Sequence, residues 1–92
     1  MITTIVLIRC QPKSISQCAL RLASIDGVSE VYSVSGEWDI VAIVRVPEYE
    51  RIAKVVTEDI SGIPGIERTQ TLTAFRAYSA KDLEQAWDIG VE

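Results

Sequence analysis

The chain has 92 residues, of which 48% are apolar, and a formal net charge of −4 from nine Lys and Arg against thirteen Asp and Glu. That length allows one domain. The scattered basic residues argue against direct binding to a nucleic-acid backbone, and the absence of His removes the commonest general base and the commonest metal ligand.

A chain this short buries only roughly 60–65% of the surface its unfolded form exposes. Its mean hydropathy is nevertheless positive, at +0.19. The surplus apolar surface implies self-association. Cys10 and Cys18 are too few for a disulfide framework and read as buried thiols in a reduced, cytosolic setting.

Met1 leads into an apolar, β-branched run over residues 2–8, bounded by Gln11-Pro12. The run has no basic segment ahead of it and no small-residue cleavage site, so it is not expected to be a signal peptide. It is too short to cross a membrane and reads as a central strand. Ser14-Ile15-Ser16-Gln17 fits a capping-box start to a helix. Ile15, Cys18 or Ala19, Leu22 and Ile25 follow at helical spacing, and Asp26-Gly27 stops it. Residues 28–34 read as a second strand, Ser35-Gly36 as a turn and residues 38–46 as a third strand. Pro47 can open a second helix. Its apolar stripe is Tyr49, Ile52, Val56 and Ile60, with Glu50 and Lys54 as an i,i+4 pair. Gly62-Ile63-Pro64-Gly65 ends that helix, and residues 66–78 read as a long, bent fourth strand. A short C-terminal helix over 79–87 follows, with Ser79 as its cap and Leu83, Ala86 and Trp87 on one side.

The order is β-α-β-β-α-β with an appendix. A weak internal repeat at an offset of 38 residues supports it: Ile25-Asp26-Gly27-Val28 recurs as Ile63-Pro64-Gly65-Ile66, Leu22 as Ile60, Ile5-Val6 as Ile43-Val44, and Ser33 and Ser35 as Thr71 and Thr73. Two interleaved β-α-β units give a ferredoxin-like α+β fold, a four-stranded antiparallel sheet with both helices on one face. Strand parity groups Trp38, Ile40, Ala42, Val44 and Val46 on one face of the third strand. Asp39, Val41, Ile43 and Arg45 fall on the other. Both faces carry apolar residues and the helices cover only one, so a second copy of the sheet is the expected cover and a symmetric dimer the expected state.

The catalytic inventory is thin. No Ser-His or Cys-His pair is possible, and no P-loop, zinc spacing or dinucleotide fingerprint is present, so neither metal nor cofactor is expected. Glu37 and Asp39 share one side of the chain and could take a cation or an amino group; a solvated turn accounts for them equally. Gly36 reads as the turn residue. Thr69, Thr71 and Thr73 alternate along the fourth strand, as pocket-lining hydroxyls or as an ordinary half-exposed face. Trp38 and Trp87 read as packing residues.

Taken together, Gly27-Val28, the stretch Gly36-Glu37-Trp38-Asp39-Ile40-Val41 and the stretch Pro64-Gly65-Ile66-Glu67-Arg68-Thr69-Gln70-Thr71 resemble the effector-binding (RAM) domain of the leucine-responsive regulatory protein/AsnC family. The resemblance covers residues 1–78 and leaves 79–92 as a C-terminal extension. It implies dimers, octamer-like rings of dimers, and amino acids bound between dimers. By position it implies ligand contacts from Gly36, Glu37, Trp38 and Asp39, with Asp39 facing the α-amino group and Thr69 and Thr71 lining the pocket. Glu37 stands where the family often has Asp, and a solvated rim is the simplest place for it. The family's usual N-terminal helix-turn-helix is not in this chain, so the resemblance is to stand-alone members, acting alone or joined with full-length relatives. The function expected is a cytoplasmic, non-enzymatic amino-acid sensor in transcription or amino-acid metabolism. A ligand-free assembly scaffold and a small dimeric ferredoxin-like enzyme are the alternatives, and an ACT-like regulatory domain would share the element order.

Overall fold

The computed structural model describes residues 1–80. Most of the proposed helix over 79–87 and of the extension over 79–92 therefore falls outside the described residues, as do Leu83, Ala86 and Trp87.

The elements are β1 (Ile2–Cys10), α1 (Ile15–Ala23), β2 (Val28–Ser33), β3 (Ile40–Val46), α2 (Tyr49–Lys54, continued by a π-helical stretch Val55–Ile60) and β4 (Ile66–Thr73). The four strands form one sheet in the order β2-β3-β1-β4, and every neighbouring pair is antiparallel. This is the ferredoxin-like α+β arrangement expected from the element order.

Alternation along the strands sorts the two faces. Thr4, Val6, Ile8 and Cys10 of β1 are buried, as are Ile40, Ala42, Val44 and Val46 of β3. They meet Cys18 and Leu22 of α1 and Ile52, Val55 and Ile60 of the second helix in a single core. The repeat is visible in this packing. Val6 and its counterpart Val44 are fully buried, and so are Leu22 and its counterpart Ile60. Gly27 and Gly65 share a left-handed backbone, with φ of 101° and 97°. The carbonyl of each accepts a hydrogen bond from the neighbouring strand region, Gly27 from the Arg45 N–H at 2.8 Å and Gly65 from the Gln11 N–H at 2.9 Å.

Five details depart from the sequence expectation. No side-chain cap forms at Ser14, because a 3-10 turn over Pro12–Ser14 leads directly into α1. The second helix follows the predicted stripe at Ile52, Val56 and Ile60 but not at Tyr49, which is exposed, while Val55 outside the stripe is buried. An α-helix would swing Val55 and Ile60 to different sides; a π turn stacks residues five apart. The Ser61 N–H accordingly reaches the Val56 carbonyl at 3.3 Å. Among the described residues Glu50 and Lys54 form no ion pair; Arg51 instead pairs with Asp26 at 3.1 Å. β3 starts at Ile40 and not at Trp38. β4 stops at Thr73, although the Ala74 N–H still donates to the Thr3 carbonyl at 2.9 Å near the start of β1.

Candidate functional site

Residues 34–39 connect β2 to β3. The Val34 N–H donates to the Asp39 carbonyl at 2.9 Å, closing the connection at its base. Gly36 sits at φ 118°, where any other residue is strained. A Cβ at Gly36 would meet nothing within 4 Å, so backbone geometry and not crowding demands the glycine. Among the described residues the N–H groups of Ser35, Gly36, Glu37 and Trp38 donate no hydrogen bond, which leaves a short run of free donors on the turn. Such a run can take an anion.

Asp39 is held on two sides. Its N–H donates to the Ile8 carbonyl at 2.9 Å, and its Oδ2 accepts from the Cys10 N–H at 3.0 Å. A strand N–H lies in the plane of its sheet, so the carboxylate closes the end of the β1–β3 ladder edge-on. Beyond Ile8 the β3 backbone no longer pairs with β1, and the Asp39 side chain supplies the acceptor. This main-chain donor offsets part of the desolvation of a carboxylate beside a buried strand. Oδ1 has no protein partner among the described residues. Glu37 is exposed, as the solvated-rim reading expected.

Strand parity does not extend to Trp38. Parity grouped it with Ile40 on the helix-covered face, yet its ring packs under the Arg68 guanidinium, 5.3 Å from ring centroid to Cζ. Arg68 is the cross-strand partner of Arg9 and alternates with Gln70 and Leu72 on the face without helices. The strand begins two residues after Trp38, so alternation does not govern that ring. The sequence offered no signal for the Arg68 contact. A cation over an indole contributes on the order of 0.5–1 kcal/mol at an exposed site.

The threonines lie on the other face. Thr69, Thr71 and Thr73 are cross-strand partners of Ile8, Val6 and Thr4, all buried beneath the helices. On the edge strand β4 that face is less covered: Thr69 is half-buried and Thr71 is exposed. Ile8 pairs with Ile40 on one side and Thr69 on the other. Thr69 and the start of β3 are therefore two strand spacings apart, roughly 10 Å. Within one chain the turn and the threonines share an end of the sheet but do not meet.

Two clefts formed by described residues lie elsewhere. One, of about 490 Å³, sits between the C-terminal ends of the helices and is lined by Arg21, Asp26, Glu58 and Asp59 among others. The other, of about 290 Å³, is lined by Met1, Ser29, Arg45 and Arg51 among others. Among the described residues no group of His, Cys, Asp and Glu could hold a metal ion, and no helix is long and apolar enough to cross a membrane.

The family model described as the Lrp/AsnC ligand binding domain matches residues 3–83. An uncharacterized HTH-type transcriptional regulator of Pyrococcus furiosus is 41% identical over 76 residues, which are 79% of this chain and 51% of that protein. The chain thus spans about half the length of the curated relatives it matches. A crystal structure from Thermus thermophilus superposes with a TM-score of 0.82 at 46% identity, covering 86% of this chain and 99% of that one. A Neisseria meningitidis transcriptional regulator, solved as a complex with L-Met, shares the fold. Its TM-score is 0.76 at 11% identity, covering 85% of this chain and 52% of that one.

Proposed function

We propose that this chain, which belongs to the Lrp/AsnC ligand-binding domain family, senses a free amino acid at the turn over residues 34–39 and assembles through its helix-free sheet face. Family membership itself makes it an effector-sensing regulatory module and not an enzyme. The amino acid, the assembly and the partners are our reading.

The observation that carries it is the pairing of Asp39 with the free donors beside it. A zwitterion needs an anion for its ammonium and N–H groups for its carboxylate. Asp39 keeps Oδ1 available while the Cys10 N–H holds Oδ2 in place. The turn amides of Ser35 to Trp38 offer donors next to it. The L-Met bound to the Neisseria regulator supports an amino acid as the ligand class. Thr69 and Thr71 would line such a pocket from a neighbouring copy, since within one chain they stand apart from the turn.

The helix-free face supports assembly. Ile5, Leu7, Val41 and Ile43 form a half-buried apolar patch there, bordered by the more exposed Tyr32 and Leu72. A second copy of the same face is the simplest cover. We take the dimer as the unit of an octamer-like ring, cytoplasmic, acting alone or in mixed assemblies with full-length relatives.

The test is a melting-temperature screen of the twenty amino acids, with light scattering on the same samples. Ligand bound to the native state raises the midpoint by mass action. One or a few related amino acids should do so. No shift with any amino acid would leave the turn as a structural tie and the assembly as a scaffold.

A further inference from the structure

The two thiols are not where a random pair would be. Cys10 ends β1, Cys18 lies on α1, and both are free and buried, 3% and 1% exposed. They approach residues 64–66 from two sides. Cys10 is the cross-strand partner of Ile66, and the adjacent Gln11 N–H donates to the Gly65 carbonyl at 2.9 Å. From the helix side the Cys18 thiol donates to the Pro64 carbonyl at 3.4 Å. A Cβ on Gly65 would come within 3.4 Å of Cys18 Sγ, so the glycine keeps space open beside the sulfur. Both cysteines thus flank residues 64–66, Cys10 from the strand side and Cys18 from the helix side.

We propose that Cys10 and Cys18 form an oxidisable dithiol that closes to an intramolecular disulfide and transmits its state to Asp39. Transmission needs no intermediary, because the N–H that holds Asp39 Oδ2 belongs to Cys10 itself. An S–S bond of about 2.05 Å requires both sulfurs to move inside their nonbonded contact, with Cα atoms about 4.4–6.8 Å apart. The same residue then carries both the new bond and the N–H that holds Asp39, so closing the disulfide perturbs that hydrogen bond.

The oxidant class is a hydroperoxide. One thiol, its proton lost to solvent, attacks the peroxide. An S–O bond forms, the O–O bond breaks, and the leaving oxygen takes up a proton. The second thiol then attacks the sulfenic sulfur; the S–S bond forms, the S–O bond breaks, and the departing hydroxide leaves as water with the second thiol's proton. Two thiols lose two electrons and two protons, and hydrogen peroxide is reduced to two waters. Burial, followed by the neighbouring Cys18, Asp39 and Glu67, pushes the Cys10 thiol up to about 11, which keeps its thiolate scarce at neutral pH. Attack that starts from Cys10 is therefore slow at neutral pH.

The intact chain is incubated with hydrogen peroxide, then unfolded, alkylated and weighed. Both thiols should disappear together with a mass loss of about 2 Da, the two hydrogens that disulfide formation removes. A peptide linking Cys10 to Cys18 should appear, and C18S should give neither. On the same oxidised sample the amide NMR signals of Cys10 and Asp39 should move, and return with dithiothreitol. Two thiols still open to alkylation, oxygen addition without the linked peptide, or disulfides only between chains would overturn the dithiol. A formed disulfide with unmoved Cys10 and Asp39 amides would overturn the coupling. None of these readouts depends on an amino-acid ligand, so they stand apart from the sensing proposal.

Discussion

The Asp39 carboxylate accepts the Cys10 N–H at 3.0 Å, a bond between the entry to β3 and the end of β1 that spans 29 residues of sequence. It gives one side chain two roles, a structural one through Oδ2 and a binding one through Oδ1, and substitutions can separate them. Asp39→Ala leaves the Cys10 N–H without its acceptor and should cost about 1–3 kcal/mol in urea denaturation, as for other hydrogen bonds to charged groups. Asp39→Asn keeps an acceptor and should cost less than half of that. Both should abolish stabilisation by an amino acid, since neither retains the anion. A ligand-responsive Asp39→Asn chain would remove Asp39 from the site.

The glycines should rank by what surrounds them. Gly65 has φ 97°, and a Cβ there would stand 2.8 Å from Ser14 Cβ and 2.9 Å from Ser14 Oγ. Gly65→Ala adds a clash of typically about 1–3 kcal/mol to left-handed strain of about 1–2 kcal/mol. Gly36→Ala, at φ 118° in open space, carries the strain alone. Thermal unfolding should therefore show a clearly larger loss for Gly65→Ala. Equal losses would mean that the close packing of α1 on the loop after α2 contributes little.

Stability should fall at alkaline pH through Cys10. Burial is the largest cause raising its pKa, from the ordinary 9.0 to about 11. Above pH 9 the unfolded thiol releases its proton while the folded one keeps it, so the unfolded state binds fewer protons and is favoured as pH rises. The loss begins near pH 9 and is complete near pH 11. Denaturation midpoints from pH 8 to 11.5 should show that slope in the native sequence and a shallower one in Cys10→Ala. The Cys10 thiolate absorbance in a folded Cys18→Ala chain should titrate near 11. A normal titration would show that solvent reaches this sulfur.

The fold was legible because its signals are redundant. Alternation placed Val6, Ile8, Ala42 and Val44, and the repeated glycines marked both helix-to-strand entries, whose backbones match. The site was legible only in part. Alternation is a property of paired backbone, and pairing stops at Ile40, so it predicted nothing reliable about the ring of Trp38. The π turn that begins at Val55 and buries it has no distinctive composition. The Asp39 bond to Cys10 joins residues that only the completed β1–β3 register brings together. The approach of Cys10 and Cys18 to residues 64–66 from opposite sides likewise depends on the path of that segment.

The assembly prediction rests on the helix-free face. Leu7 lies at its centre, opposite Val41 on β3 and Gln70 on β4. Leu7→Arg exchanges an apolar group for a charge on a surface already half open to water in the single chain. A long Arg side chain can keep its head in solvent there, so the monomer should fold with a modest loss. Between two copies the same charge would be buried against its symmetry mate without a counter-ion, costing several kcal/mol at the interface. Sedimentation velocity at micromolar concentration should show the native chain as a dimer or larger and Leu7→Arg as a folded monomer, with far-ultraviolet circular dichroism unchanged. Lys54→Glu, on the exposed side of α2, is the control and should leave the assembly intact. A native chain that sediments as a monomer, or a Leu7→Arg chain that still assembles, would place the interface elsewhere.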